Sequence, residues 1–88
     1  MWFVYLLRCA DNSLYVGQTN DVAARVVKHA EAEGGCRHTA QRRPVRLVYS
    51  EMHETRADAL QRERQIKRWT RRKKEALVIG DLTRLKSL

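Results

Sequence analysis

The chain has 88 residues, with 18 Lys plus Arg against 10 Asp plus Glu and a formal net charge of +8. That length holds one compact domain, 1–88, whose core takes up the 43% of hydrophobic residues and leaves nothing for a second. The longest apolar run, Trp2 to Leu7, falls far short of the roughly 18–20 residues that cross a bilayer, so the chain is expected to be soluble, away from membranes and cytoplasmic. Cys9 and Cys36 are too few for a disulfide framework and are expected as free thiols. The positive balance points to an anionic partner and says nothing of fold.

In chain order, Trp2 to Leu7 is rich in aromatic and branched residues. Leu14 to Thr19 follows after the polar break Asp11-Asn12-Ser13, as a β-hairpin requires. Whether Tyr5 and Tyr15 share a face depends on the loop. Two residues, pairing Ala10 with Ser13, set them on opposite faces; three, with Asn12 or Ser13 left-handed, set them together. A helix capped by Asn20 or Asp21 follows, with Val22, Ala23, Val26, Val27 and Ala30 as its apolar stripe, stopped by Gly34-Gly35.

The stretch from Gly34 to Pro44 is polar and basic, a loop long enough to carry function. A third strand is expected over Val45 to Ser50, with Val45, Leu47 and Tyr49 on one face. Thr55-Arg56-Ala57-Asp58 is a capping signature ahead of a helix to about Trp69, and Thr70 caps a last helix ended by Gly80. The order is β-β-α-β-α-α, an α+β fold with helices flanking a three-stranded, mostly antiparallel sheet.

Gln61 to Lys74 holds eight basic residues and one acid, Glu63. At about 100° per residue, Glu63 projects between Ala59 and Ile66 on the inward face, and a shielded carboxylate needs a cation, a hydrogen-bond donor or a proton. An ion pair with a neighbouring Arg or Lys is the plain reading. A divalent ion held by one carboxylate, waters and substrate phosphate is the sharper one. On the first helix Arg25 and His29 lie four residues apart on one side, a pair able to grip a phosphate and handle a proton.

Val4-Tyr5-Leu6, Tyr15-Val16-Gly17 about ten residues on, Arg25 with His29, and Glu63 in Ala-Leu-Gln-Arg-Glu-Arg-Gln-Ile-Lys resemble, in order and approximate spacing, the GIY-YIG nuclease pattern over essentially the whole chain. The segments from Leu7 to Gly17 and from Arg43 to Tyr49 resemble the small bacterial proteins made of that domain alone. The resemblance implies an endonuclease that hydrolyses phosphodiester bonds in DNA with one divalent ion, Mg2+ or Mn2+, in repair or recombination. It implies that Glu63 binds the metal, Arg25 contacts the scissile phosphate, Tyr5 and Tyr15 line the site, and His29 supports proton handling. Members differ in which tyrosine deprotonates the attacking water.

A phenol titrates near 10, so it serves as a base at neutral pH only where positive charge stabilises the phenolate. Gly17, lacking a β-carbon, is expected to leave room for the substrate backbone. Arg37, His38, Thr39, Arg42, Arg43, Lys67 and Arg68 are the candidate nucleic-acid contacts. The competing reading is a basic module that binds nucleic acid without cutting it; salt-sensitive binding is common to both, and turnover separates them.

Overall fold

The computed structural model describes the backbone of residues 1–30 and 44–80, and the side chains of all of these but 29 and 30. The elements are β1 (Trp2–Arg8), β2 (Leu14–Thr19), α1 (Val22–Ala30), β3 (Arg46–His53), α2 (Arg56–Lys67) and α3 (Arg71–Ile79). The strands form one antiparallel sheet in the order β2-β1-β3. This is the α+β fold and element order that the periodicities predict.

The hairpin takes the three-residue alternative. Cys9 N–H donates to Ser13 O at 2.9 Å and Asn12 N–H to Cys9 O at 2.9 Å, with Asn12 left-handed at φ 69°. Asparagine tolerates that conformation better than most residues, which pins the register. Tyr5 therefore pairs with Gly17 and Leu7 with Tyr15, and all four side-chain positions share one face.

The other face carries Val4, Leu6 and Val16, buried with Ala59 and Ile66 of α2 and Leu77 of α3. Thr55 caps α2 by accepting from Asp58 N–H at 3.1 Å. Thr70 caps α3 in the same way through Lys73 N–H, and Gly80, at φ 75°, ends it. Arg8 grips Glu75 with two bonds of 2.5 and 2.7 Å, and Arg71 donates to Asn12 O at 2.5 Å, so α3 is fastened to the hairpin turn at two points. The Arg8 hydrogen bonds hold the Glu75 carboxyl below the usual range.

Three expectations are corrected. β3 continues to His53, because β1 offers pairing partners as far back as Trp2. Leu47 and Tyr49 do not share a face. A bulge shifts the register between Leu6 and Leu7, so Tyr49 pairs with Leu6 on the core side and Leu47 with Leu7 on the tyrosine side. On α1, whose Asp21 cap accepts from Ala24 N–H at 3.1 Å, the half-buried edge is Val22, Arg25 and Val26; Ala23 and Val27 face outward. The expected stop at Gly34-Gly35 and the loop from Gly34 to Arg43 lie outside the described residues. Among the described residues no helix is long and apolar enough to cross a membrane.

Candidate functional site

Strand register alone brings the two tyrosines together. Their ring centroids stand 6.3 Å apart at an interplanar angle of 45°, a tilted arrangement favourable for aromatic pairs. Tyr5 is 1% exposed, whereas Tyr15 is partly open to solvent. The room that Gly17 leaves is occupied: a β-carbon there would stand 2.6 Å from Tyr5 Cζ and closer still to its hydroxyl. The glycine makes way for the phenol of this chain, and the space read from sequence as an approach for substrate is filled by Tyr5.

Glu63 sits on the other side of the sheet. Ala59 and Ile66, both fully buried, mark the line along which α2 touches the strands. With about 100° between successive residues, Arg62 and Glu63 splay about 50° to either side of that line. Arg62 goes to β3, where its Nε lies 3.1 Å from Glu51 Oε2. Glu63 consequently overhangs the opposite flank, above β2, the outer strand of the described sheet. Its side chain is 15% exposed, and Oε1 lies 2.7 Å from Lys67 Nζ one turn on. In the same strand, Gln18 pairs with Val4 and so points to the α2 side; its Oε1 is shut off from solvent and, among the described residues, has no hydrogen-bond partner.

Arg25 is half-buried one turn into α1, which begins directly after β2. Thr19 Oγ1, at the end of β2, accepts from Asp21 N–H at 3.1 Å and ties that corner. Tyr5, Tyr15 and Gly17 are thus in contact on one face of β2 or its neighbour, with Glu63 above the other face and Arg25 just past the strand end. Lys67 is bound to Glu63, while Arg68, exposed, lines a cleft on the far flank of α2. The His29 side chain and all of Arg37, His38, Thr39, Arg42 and Arg43 lie outside the described residues.

Sequence reading missed a cluster on β3. Glu51 accepts from the Tyr49 hydroxyl at 2.7 Å, meets His53 Nε2 at 2.5 Å and pairs with Arg62. Burial pushes the Glu51 carboxyl up, but hydrogen bonds from Tyr49 and His53, with the Arg62 charge, outweigh it and hold the group below its ordinary value. Burial, then the bond to Glu51, pushes the Tyr49 phenol up to about 12. The i, i+2 spacing Tyr49-x-Glu51-x-His53 signals one strand face, and it was hidden by ending the strand at Ser50.

A cleft of about 760 Å³ adjoins this cluster and is lined by His53, Arg62, Arg64, Arg68 and Trp69 among others. Trp69 is flanked there by Arg62, 5.0 Å from the ring centroid, and Lys73, 4.4 Å away. Size does not make it the reactive centre: its carboxylates, Asp58 at the rim and Glu51 behind Arg62, are exposed or already satisfied. Glu63 on the other flank is sheltered and, among the described residues, is bonded to one exposed, exchangeable lysine.

A family profile described as the GIY-YIG catalytic domain matches residues 1–76. The UPF0213 proteins of Staphylococcus aureus strains Mu50 and COL are each 53% identical to this chain over 76 residues, covering 86% of it and 92% of the relative. The solution NMR structure of a UPF0213 protein from Bacillus halodurans superposes with a TM-score of 0.57 at 42% identity, covering 89% of this chain and 83% of that one.

Proposed function

Because the chain belongs to the GIY-YIG nuclease family, we propose that it is a metal-dependent endonuclease hydrolysing phosphodiester bonds in DNA, with nicked, flapped or branched DNA as substrate. One small domain offers little base readout, which favours structure over sequence as the feature recognised; such substrates belong to repair and recombination. The observation that carries the reading is Glu63 itself, which falls within the matched residues 1–76 and whose side chain is only 15% exposed and bonded to an exposed lysine.

Glu63 suits a hard divalent cation such as Mg2+ or Mn2+. It is an oxygen donor removed from bulk water, and its bond to Lys67 is an i, i+4 pair with a lysine 52% exposed, worth about 0.3–0.5 kcal/mol and easily exchanged. When bound there, the ion would polarise the phosphate and stabilise the leaving oxygen. Arg25 balances the charge that develops on the non-bridging oxygens. In this reading Tyr15, the more exposed of the two phenols, takes the proton from water, and Tyr5, buried against Gly17, orients it through ring contact. His29 supports proton handling, and Arg37, His38, Thr39, Arg42, Arg43 and Lys67 hold the sugar-phosphate chain.

The test is cleavage of nicked, flapped and branched DNA with Mg2+ or Mn2+ by wild type and Glu63→Gln. The expected loss is at least about a hundredfold in rate, about 2.7 kcal/mol of barrier. Equal cutting by both rejects the role of Glu63. Binding by both with no cutting by either supports the non-catalytic module instead.

A further inference from the structure

The row of side chains across the sheet at Val4 runs Glu51, Val4, Gln18, from β3 through β1 to β2. All three face α2. At the β3 end, Arg62 reaches down and satisfies Glu51. At the β2 end stands Gln18, whose amide oxygen is cut off from water and accepts no hydrogen bond among the described residues. The α2 residue above that end is Glu63, one position after Arg62 and about 1.5 Å further along the axis. Two oxygen donors, one anionic on α2 and one a neutral carbonyl on β2, thus belong to facing elements on one flank of the helix.

An orphaned amide oxygen forfeits about 1–3 kcal/mol unless something in the working protein uses it. Within the described residues no N–H or O–H group does so. Lys67, one turn along the helix, bonds the Glu63 carboxylate. What suits a carbonyl and a carboxylate on facing elements is a hard cation that prefers oxygen ligands and keeps several waters.

We propose that Gln18 Oε1 is a second protein oxygen of the cation site anchored by Glu63, so that the ion is held between β2 and α2 and not by the helix alone. This rests on the metal-dependent reading above. It assigns to position 18 a ligand-holding task independent of the tyrosines and of nucleic acid. The neutral carbonyl adds direction without further charge: it fixes the side of Glu63 on which the ion sits, toward the strand that carries Tyr15.

The experiment is a titration of the full chain with Mn2+ in the absence of nucleic acid, followed by water-proton relaxation and by the loss of the free-Mn2+ electron paramagnetic resonance signal. Wild type, Gln18→Met and Glu63→Gln are compared. Methionine keeps the length of glutamine while replacing the hard oxygen with a soft thioether that Mn2+ and Mg2+ disfavour. The expected results are one saturable site in wild type, about tenfold weaker binding in Gln18→Met, and loss of the site in Glu63→Gln. Melting without metal checks the fold: Gln18→Met should match or exceed wild type, since it removes an unsatisfied polar atom.

Binding by Gln18→Met as tight as wild type or tighter, with Glu63→Gln still abolishing it, overturns the assignment of Gln18 alone; tighter binding would show that the amide donates to Glu63 instead. No saturable Mn2+ in wild type, or none lost in Glu63→Gln, overturns the cation site itself and this inference with it.

Discussion

Gly17→Ala places a methyl group where the Tyr5 ring already stands. The new carbon would lie 2.6 Å from Cζ and 3.0 Å from Cε1, against a comfortable carbon–carbon separation of about 3.5–4.0 Å, an intrusion of about 1 Å. The ring is 1% exposed and has Leu7 and Tyr15 beside it on the same face, so it cannot swing into solvent as a surface side chain would. Overpacking of this kind costs about 1–3 kcal/mol, partly offset by about 0.5–1 kcal/mol from replacing glycine within a strand. With three atoms of a stiff ring involved, we expect a net loss of about 2 kcal/mol, a fall of about 8–16 °C in Tm for a chain of this size. Thermal unfolding by circular dichroism measures it, and Tyr5→Leu closes a double-mutant cycle. Once the ring is gone, Gly17→Ala should be neutral or mildly stabilising, a coupling of about 2–3 kcal/mol. A Gly17→Ala melt within about 2 °C of wild type, or an undiminished loss in the Tyr5→Leu background, would refute the reasoning and restore Gly17 as open ground for substrate.

The β3 cluster supports two further expectations. Glu51→Gln removes the charge that Arg62 and His53 face while keeping the shape; with the Glu51 side chain 18% exposed, the loss should be about 2–3 kcal/mol, below the range for a fully buried pair, and denaturant unfolding checks it. The Tyr49 phenol is held near 12 in the folded chain and titrates near 10 when unfolded, so only the unfolded state loses its proton between those values and stability falls as pH rises through that window; allowing for partial solvent exposure, the contribution is about 1–2 kcal/mol. The difference between wild type and Tyr49→Phe in unfolding free energy should change by that amount between pH 9 and pH 12, and a constant difference would contradict it.

The fold was largely readable because its signals are local. Thr55 with Asp58, Thr70, Asp21 and Gly80 cap or end helices through contacts within a few residues, and Glu63 shares its shelter with Ala59 and Ile66 at helical spacing. The hairpin stood one residue from ambiguity, and only the left-handed Asn12 decides between the two registers. What escaped the sequence is non-local. The bulge opposite Leu6 and Leu7 shifts β3 by one residue with no glycine or proline to announce it. Arg8 meets Glu75 across 67 positions, and the phenol over Gly17 comes from the neighbouring strand.

The β3 cluster nonetheless bears on the site, through α2. The helix meets the sheet along Ala59 and Ile66, a seam with one methyl group at its upper end, and such a seam resists sliding better than rolling. Arg62 adds a restraint against rolling, beside Arg56 stacked on the Trp2 ring of β1. Its guanidinium bonds Glu51, which Tyr49 and His53 hold from the same strand, so α2 cannot roll without breaking a charged, half-buried pair. Glu63 is the next residue, and fixing the rotation of Arg62 about the axis also fixes that of Glu63, about 100° away. The two adjacent residues of opposite charge therefore divide the work. One anchors the helix to β3; the other is thereby held over β2, on the face that carries the Gln18 side chain.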